Sequence, residues 1–421
     1  MVPQATIVST GEELVRGRTA DTNASFAAAQ LDCYGFEVKR LLAVGDDPEV
    51  LQRELESCLS DSDLVLLTGG LGPTADDRTR YAIAGAVGRK LVEDGDTATF
   101  VSDRINSYGH QVTEAQLTQA RFPAGAVIFP NPRGTARGFA CRADGAWLVA
   151  MPGVPHEMRA MLTESILPFL MEELMPDRSV AVERINLFPI PESHVDARLA
   201  DVMDGGRNPT LGITVRDGVI TVSIRARAIT EQEAEDLLRR DVQMVEERFG
   251  DLVFGRGTDA LADAVSRELE RTDSSIAVAE SLTGGLIGHM LVDVPGISRF
   301  FLADVVAYSN EAKISQLGVP REHIVEHGAV SPQVARDMAM GTCRAAGADL
   351  GLSTTGIAGP TGGTDEKPVG LVYVGLCLNG ETAVRELKLR GDRWRIKDRS
   401  AKYALNFARL ALKNGLKYIR A

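Results

Sequence analysis

The chain has 421 residues, more than one ordinary hydrophobic core organises, so we expect two or three domains. A hydrophobic fraction of 44% is typical of a globular protein, and the net charge of −12 argues against a nucleic-acid partner. The five cysteines are scattered without a CxxC pair, which argues against a disulfide framework or a zinc site. No signal-peptide or membrane-spanning pattern is visible, so we expect a cytoplasmic protein without a membrane partner.

The first part of the chain alternates short apolar runs with longer segments whose apolar residues recur at helical spacing. This alternation predicts a parallel sheet with helices on both faces. The predicted strands are residues 5–8, 37–44, 64–68 and 147–151, and the predicted helices are residues 23–34, 48–60 and 79–87.

Polar and glycine-rich loops follow the predicted strands of this part, and in a parallel sheet such loops gather at the carboxyl ends of the strands, where ligands bind. Glycines next to carboxylates fit a phosphate-containing ligand that a divalent metal bridges to the protein. For Asp76 and Asp77 the alternative is capping of the next helix. The candidate residues are Thr10, Gly11, Glu12, Asn23, Gly69, Gly70, Gly72, Asp76 and Asp77.

The character changes near residue 176, and residues 176–252 indicate a small α+β unit. The pair Asp217-Gly218 between two alternating runs predicts a hairpin turn. The predicted strands are residues 182–188, 211–215 and 219–228, and the predicted helices are residues 192–203 and 231–249.

The α/β alternation resumes after residue 256, with a predicted helix at 259–270 and a predicted strand at 275–279. Ser281 follows that strand, and Thr283-Gly284-Gly285 opens the next helix. A strand–loop–helix junction presents free backbone N–H groups at the positive end of a helix, which suits a phosphate or a developing oxyanion. Ordinary helix capping by Ser281 or Thr283 is the alternative.

Lys313 follows a further predicted strand at residues 305–308, which ends on Tyr308. A lysine can deprotonate a serine if burial lowers the lysine pKa, and no histidine is placed by the sequence to do so. A Ser281–Lys313 pair is therefore the more plausible nucleophile system than a Ser–His–Asp triad. A glycine-rich loop, residues 354–363, follows the predicted strand at 349–353 and lets backbone approach a ligand closely.

The segments 279–285, 308–313, 355–363 and 367–370 resemble the nicotinamide-nucleotide amidohydrolase family, with near-continuous similarity over residues 258–415. The resemblance implies hydrolysis of nicotinamide mononucleotide (NMN) to nicotinic acid mononucleotide and ammonia without a cofactor. It implies Ser281 as nucleophile, Lys313 as its base and Tyr308 as an orienting or proton-transferring group. Phosphate and oxyanion would be held by two loops whose roles stay open, namely Thr283, Gly284 and Gly285, and Thr355, Gly356 and Gly359 with Arg393.

Residues 5–170 resemble the MoaB/MogA molybdopterin-binding fold, and the whole chain is similar to the CinA (competence/damage-inducible protein A) family. The resemblance implies an N-terminal α/β/α sandwich at 1–172, a KH-type α+β middle domain at 176–252 and a C-terminal α/β/α deamidase domain at 256–421. The middle domain has no GXXG clamp, so we expect a structural or dimerisation role for it.

The same resemblance implies that the N-terminal domain cleaves ADP-ribose to AMP and ribose 5-phosphate. Asp76 and Asp77 would hold a divalent ion (Mg, Mn or Co), with K⁺ as a further ion, and the protein would be a homodimer. The alternative is a pterin- or nucleotide-binding module fused to a single active deamidase. A DNA-uptake role gains no support from an acidic chain.

Overall fold

The computed structural model describes residues 2–74, 76–107, 109–175, 179–203 and 206–417. The chain divides into two compact units, Met1–Val182 with Arg227–Glu235 and Glu183–Ala226 with Asp236–Ala421. Most of the predicted middle domain therefore groups with the C-terminal part of the chain. The predicted start of that domain, residue 176, lies outside the described residues.

The N-terminal unit contains a six-stranded sheet in the order β2-β1-β3-β8-β7-β6 and a two-stranded sheet of β4 and β5. The strands are β1 (Gln4–Thr10), β2 (Glu37–Val44), β3 (Leu64–Thr68), β4 (Leu91–Glu93), β5 (Arg121–Pro123), β6 (Val127–Phe129), β7 (Gly138–Ala143) and β8 (Ala146–Met151). The helices are α1 (Glu12–Val15), α2 (Thr22–Cys33), α3 (Pro48–Asp61), α4 (Thr79–Ala86), α5 (Gly95–Ser107), α6 (Glu114–Leu117), α7 (Pro155–Met161) and α8 (Leu167–Leu174).

The expectation of a wholly parallel sheet is wrong at one side of the large sheet. β1, β2, β3 and β8 are parallel neighbours, but β7 pairs antiparallel with β8 and β6 antiparallel with β7. The reason is local: Asp144 and Gly145, at φ 50° and 89°, form a two-residue turn between β7 and β8. Positive φ at both central residues is the geometry that joins twisted antiparallel strands.

Side chains alternate along the buried strands, so each face of the large sheet has its own apolar layer. Ile7 of β1 packs into a core with Leu31 of α2 and with α7 and α8, whereas its neighbour Val8 packs with Leu51 and Leu55 of α3. This arrangement is the predicted α/β/α sandwich.

The middle segment forms a four-stranded sheet in the order β10-β11-β9-β12, in which β10 pairs antiparallel with β11 and β12 antiparallel with β9, and two helices pack on it. Asp217 and Gly218 form the predicted hairpin turn, with φ 51° and 80°. The elements are β9 (Ser179–Leu187), α9 (Glu192–Leu199), β10 (Thr210–Arg216), β11 (Val219–Ala228), α10 (Glu231–Phe249) and β12 (Val253–Arg256).

The C-terminal part is built on a five-stranded sheet in the order β14-β13-β15-β16-β17, in which β14, β13 and β15 are parallel. The strands are β13 (Ile276–Glu280), β14 (Phe301–Val306), β15 (Leu350–Gly356), β16 (Leu371–Leu378) and β17 (Glu381–Lys388). The helices are α11 (Leu261–Thr272), α12 (Leu286–Val292), α13 (Asn310–Leu317), α14 (Arg321–His327), α15 (Pro332–Ala346) and α16 (Arg393–Asn414).

Alternation places two apolar layers around this sheet as well. Val278 of β13 faces the core of α11, α12 and α16, whereas Ala279 faces α13, α14 and α15. The carboxyl ends of β13, β14 and β15 meet at one edge, and the loops that follow these strands are therefore brought together there.

Candidate active sites

Ser281 and Lys313 meet at the edge where β13 and β14 end. The Lys313 Nζ lies 3.1 Å from the Ser281 Oγ and donates to the carbonyls of Ala307 at 2.8 Å and Tyr308 at 3.3 Å. Lys313 is 1% exposed and Ser281 9% exposed. Burial without a carboxylate partner lowers the pKa of Lys313 from 10.5 to about 8.

The local sequence explains why these two side chains converge. Ser309 caps α13 by accepting from the Ala312 N–H at 3.1 Å, which places Lys313 in the first turn of the helix, directly behind the end of β14. The Ser281 N–H continues the β-ladder by donating to the Thr354 carbonyl at 3.0 Å. The nucleophile candidate is thus held by the sheet and the base candidate by a helix cap.

The Tyr308 side chain lies apart from Ser281 and Lys313, although the resemblance implied that it orients this pair or transfers a proton. Tyr308 is 63% exposed, and its hydroxyl accepts from the Arg393 guanidinium at 3.2 Å. Arg393 also donates to the Gly359 carbonyl at 2.7 Å. The backbone carbonyl of Tyr308 therefore accepts a hydrogen bond from Lys313, while the Tyr308 ring lies at the rim of the site beside Arg393.

Both glycine-rich loops have free backbone donors. Among the described residues, no hydrogen bond is found for the N–H groups of Leu282 and Thr283 in the loop after Ser281, nor for those of Ala358 and Gly359 in the second loop. The Thr283 side chain is fully buried and shares a 2.7 Å hydrogen bond with Thr354, so it holds the loop rather than a ligand. Gly285 donates its N–H to Glu280.

Most of the predicted residues in the second loop are structural. The Thr355 hydroxyl donates to the Ala329 carbonyl at 2.8 Å, and a Cβ on Gly356 would contact the Leu371 carbonyl at 2.7 Å. Lys367 donates to the carbonyls of His327 and Val330 at 2.5 and 2.8 Å, which ties this loop to the end of α14. Gly359, through Arg393, reaches the rim of the site.

The sequence reasoning missed three charged residues around Ser281. Lys397 lies on α16 one turn after Arg393, and its Nζ is 3.9 Å from the position of a Cβ on Gly284. Glu280 is fully buried at the end of β13, and Asp304 lies beside it on β14. The signals were present, since Lys397 stands at i+4 from Arg393 and both acids interrupt apolar runs.

The N-terminal unit has a cavity of about 250 Å³ at the carboxyl ends of β1 and β3. Thr10 and Asn23, both predicted, line this cavity. The Asn23 amide donates to the Gly153 carbonyl at 2.7 Å and to the Thr68 hydroxyl at 3.3 Å, while its Oδ1 is buried without a partner among the described residues. The buried Ser9 Oγ, on the same wall, is also unpartnered there.

Glu12 does not face this cavity, although it was a predicted binding residue. Its carboxylate forms an exposed ion pair with Arg16 at 2.8 Å, and the neighbouring Glu13 lines the cavity instead. Gly11 has φ 156°, and a Cβ there would lie 2.6 Å from the Glu13 Oε1. The residue that lines the cavity is therefore one position later than predicted, in the helix α1 that begins at Glu12.

Gly69, Gly70 and Gly72 form a tight turn after β3. Gly69 and Gly70 have φ 112° and 62°, and a Cβ on Gly69 would lie 2.5 Å from the Thr10 carbonyl oxygen. A Cβ on Gly72 would collide with the Asp77 carboxylate. These glycines are required by the turn itself, whether or not a ligand approaches it.

Asp76 and Asp77 lie on this turn rather than along the cavity wall. The cap position of α4 is Arg78, so helix capping does not explain either aspartate. The Asp77 carboxylate accepts from the Thr74 N–H at 2.8 Å and from the Thr74 hydroxyl. Within the described ranges, no group of three or more His, Cys, Asp or Glu side chains could hold a metal ion by itself.

The fold and sites define a three-part α/β protein that joins a molybdopterin-binding-type sandwich to a KH-type segment and a serine–lysine domain. Three family models match accordingly: "Probable molybdopterin binding domain" over residues 6–172, "Damage-inducible protein CinA KH domain" over 183–255, and "CinA C-terminal domain" over 258–412.

Full-length relatives match over nearly the whole chain. A CinA-like protein of Kosmotoga olearia is 39% identical over 97% of this chain and 99% of its own length. A CinA-like protein of Dictyoglomus thermophilum is 40% identical over 97% of this chain and 99% of its own length. A solved CinA structure from Thermoplasma acidophilum is 34% identical over 40% of this chain and 98% of its own, at a TM-score of 0.38. The chain belongs to the CinA family. Within the described residues, no helix has the length and apolar character to cross a membrane.

Proposed function

We propose that the C-terminal domain is a serine amidohydrolase that converts NMN to nicotinic acid mononucleotide and ammonia. The observation that carries this proposal is the 3.1 Å contact between the Lys313 Nζ and the Ser281 Oγ in a buried setting. A neutral lysine amine has two N–H donors and one lone pair. The carbonyls of Ala307 and Tyr308 can take the two donors, which leaves the lone pair for the Ser281 hydroxyl proton.

In the first half of the reaction, Lys313 accepts the proton of Ser281 as the Oγ attacks the carboxamide carbon. The carbonyl oxygen becomes an oxyanion, and the unpaired N–H groups of Leu282 and Thr283 are among the donors available to it. When the C–N bond breaks, the Lys313 ammonium returns a proton to the leaving nitrogen, and ammonia departs. The remaining species is an ester on Ser281.

In the second half, water attacks the ester carbon while Lys313 accepts a proton from it. Collapse of the new tetrahedral species breaks the bond to the Ser281 Oγ, which regains its proton from Lys313. The products are a carboxylic acid and the original enzyme, and the acid then loses its proton to ammonia or water to give the carboxylate, so atoms and charge balance without a cofactor. One residue thus acts as base and then acid in each half-reaction.

Two cations support an anionic nucleotide rather than a free amide as the substrate. Arg393 and Lys397 lie one turn apart at the start of α16, whose N-cap is Asp392, and Lys397 faces Gly284. Positive side chains at a helix N-terminus favour a phosphate group. The similarity to nicotinamide-nucleotide amidohydrolases supports NMN as that substrate.

The test is ammonia release from NMN by the purified full chain and by Ser281→Ala. Without the Oγ no acyl-enzyme forms, so we expect kcat to fall roughly 10³-fold or more while the fold is kept. The matched control is Ser315→Ala, an exposed serine on α13 whose hydroxyl bonds only to the Glu311 carbonyl. Equal rates for wild type and Ser281→Ala would remove the nucleophile from the account.

For the N-terminal domain we propose a metal-dependent ADP-ribose pyrophosphatase. The supporting observation is the 250 Å³ cavity with two buried acceptor-capable oxygens, on Ser9 and Asn23, that lack partners among the described residues. A ligand with hydroxyl or amino donors, such as a ribose, would satisfy them. A pterin- or nucleotide-binding module that does no chemistry is the alternative that the same cavity allows.

Asp76 and Asp77 fit a divalent ion only in company with the substrate. Mg²⁺ is commonly held by one or two carboxylates together with substrate phosphates, and the described residues provide no larger carboxylate group there. A bound ion would polarise the diphosphate for attack by water.

The test is AMP release from ADP-ribose with Mg²⁺, Mn²⁺ or Co²⁺, with and without K⁺. We expect Asp77→Asn to lose metal-dependent cleavage by at least about tenfold, because one carboxylate oxygen no longer binds the ion. Asp94→Asn, whose carboxylate caps α5 through Thr97, is the control. Binding of ADP-ribose without cleavage by any of the three ions would favour the binding module.

A further inference from the structure

Glu280 and Asp304 form a pair of carboxyl groups directly behind the nucleophile. Glu280 is the last residue of β13, is fully buried, and precedes Ser281 in the chain. Asp304 stands on the neighbouring strand β14, its Oδ2 lies against Gly288, and hydrogen bonding to Glu280 is one of the causes that raise its pKa. Two carboxyl groups can hydrogen-bond to each other only when one of them carries a proton.

Glu280 also holds the turn that follows Ser281. Its two carboxylate oxygens accept from the N–H groups of Gly285 and Gly288, each at 2.9 Å. These contacts join the end of β13 to the first turn of α12 and so enclose Ser281 and its free N–H donors. Because backbone N–H groups favour the charged form of a carboxylate, Glu280 is the ionised partner and Asp304 the protonated one.

The surroundings of Asp304 agree with a neutral carboxyl group. Its Oδ1 is buried without a hydrogen-bond partner among the described residues, and a Cβ on Gly288 would collide with its Oδ2. Burial, followed by the charge of Glu280, raises the pKa of Asp304 from 3.8 to about 7.

The charged groups on the other elements packed against β14 do not compensate a charge on Asp304. Glu280 is the charged group that acts on Asp304. Several charged side chains on the neighbouring elements form ion pairs with each other instead. Those on the neighbouring elements are His289 with Asp293 on α12, Arg299 with Asp273 before β14, and Asp337 of α15 with His323.

We propose that Asp304 is a proton-linked positioning residue for the proposed deamidase, in which its neutral carboxyl locks Glu280 against the Ser281–Gly288 turn. The proposal rests on the function proposed above for Ser281 and Lys313. Loss of the shared proton puts two negative charges side by side, one on the fully buried Glu280 and one on the partly buried Asp304. The carboxylates then separate, Glu280 loosens from the N–H groups of Gly285 and Gly288, and the donors beside Ser281 lose their alignment.

The pH profile of kcat follows from two opposing titrations. Deprotonation of Lys313 near pH 8 raises the rate, whereas deprotonation of Asp304 near pH 7 lowers it, so the wild-type profile is bell-shaped between these values. Asp304→Asn keeps a permanent N–H donor to Glu280. We expect this variant to lose the falling limb, and its kcat at pH 9 to exceed that of wild type by about tenfold or more.

Two observations separate positioning from a general loss of structure. KM for NMN should stay within about twofold of wild type, because Asp304 does not touch the substrate in the proposed mechanism. Asp293→Asn, an exposed acid at the end of α12, should keep the wild-type profile. If Asp304→Asn folds poorly, Asp304→Ala still tests the falling limb, because it removes the second charge, but it also removes the donor to Glu280 and should lower kcat at every pH.

A second readout does not depend on NMN hydrolysis. Because Asp304 binds a proton in the folded state up to about pH 7 but only up to about pH 4 when unfolded, wild-type stability falls with rising pH through that window. The urea midpoint of Asp304→Asn should rise relative to wild type between pH 5 and pH 8. A falling limb retained by both Asp304 variants, or parallel urea midpoints, would overturn the proposal. Absence of NMN hydrolysis by wild type would instead count against the proposed deamidase function. The urea midpoints would still show whether Asp304 holds a proton in the folded protein.

Discussion

At the scale of single residues, Ser281 and Lys313 were predictable and Tyr308 was only partly so. Each of the two follows a strand, and the ends of neighbouring parallel strands meet at one edge of a sheet, so residues 32 positions apart converge. The direction of the Tyr308 ring depends on Arg393, which lies 85 positions away, and no local pattern reports that contact. Glu280 and Asp304 were not predicted, because the recognisable patterns around them consist of hydroxyl-bearing residues and glycines.

The buried Lys313 carries a stability cost that follows from its pKa. With a pKa of about 8 in the fold and 10.5 as its ordinary value, the unfolded chain binds more protons between these values. The free energy of unfolding therefore rises with pH through that window. Lys313→Met removes the buried amine at similar volume, so we expect it to be more stable than wild type at pH 7 by about 1–3 kcal/mol.

Urea unfolding at pH 7 and pH 10 checks this expectation. The advantage of Lys313→Met should shrink at pH 10, because most of the window between the two pKa values has then been crossed and little of the cost of burying the amine remains. Lys388→Met, at a lysine on β17 whose side chain is 76% exposed, should show no such pH dependence. A stability difference that is the same at both pH values would contradict a lowered pKa for Lys313.

At the scale of elements, buried strands and long amphipathic helices were predicted well because their periodicity is unbroken. The predicted strands at 37–44 and 64–68 are found residue for residue, and the helix predicted at 231–249 coincides with α10. β14 was placed at 305–308 but spans Phe301–Val306. The charged Asp304 interrupts the apolar run of β14, and the predicted strand therefore begins at the next residue.

Pairing direction could not be derived from periodicity. The β7–β8 hairpin depends on positive φ at Asp144, a conformation that the sequence permits but does not require. A two-residue turn then fixes an antiparallel neighbour on a sheet that is otherwise parallel. The mixed sheet is therefore a consequence of turn chemistry, which acts over two residues and escapes a search for apolar repeats.

At the scale of the whole molecule, the sequence separates three segments and the structure groups them into two compact units. Ser281, Lys313, Glu280 and Asp304 all belong to the second unit, and Thr10, Asn23 and Asp77 belong to the first. The three family models divide the chain near the same points, over residues 6–172, 183–255 and 258–412.

The measurement that bears most directly on the account is the rate of ammonia release from NMN by the full chain, by Lys313→Met and by Lys388→Met at pH 7.5. The account predicts turnover by wild type and Lys388→Met, and a loss of roughly 10³-fold or more in Lys313→Met, because no other base reaches the Ser281 hydroxyl among the described residues. Undiminished ammonia release by Lys313→Met would contradict it.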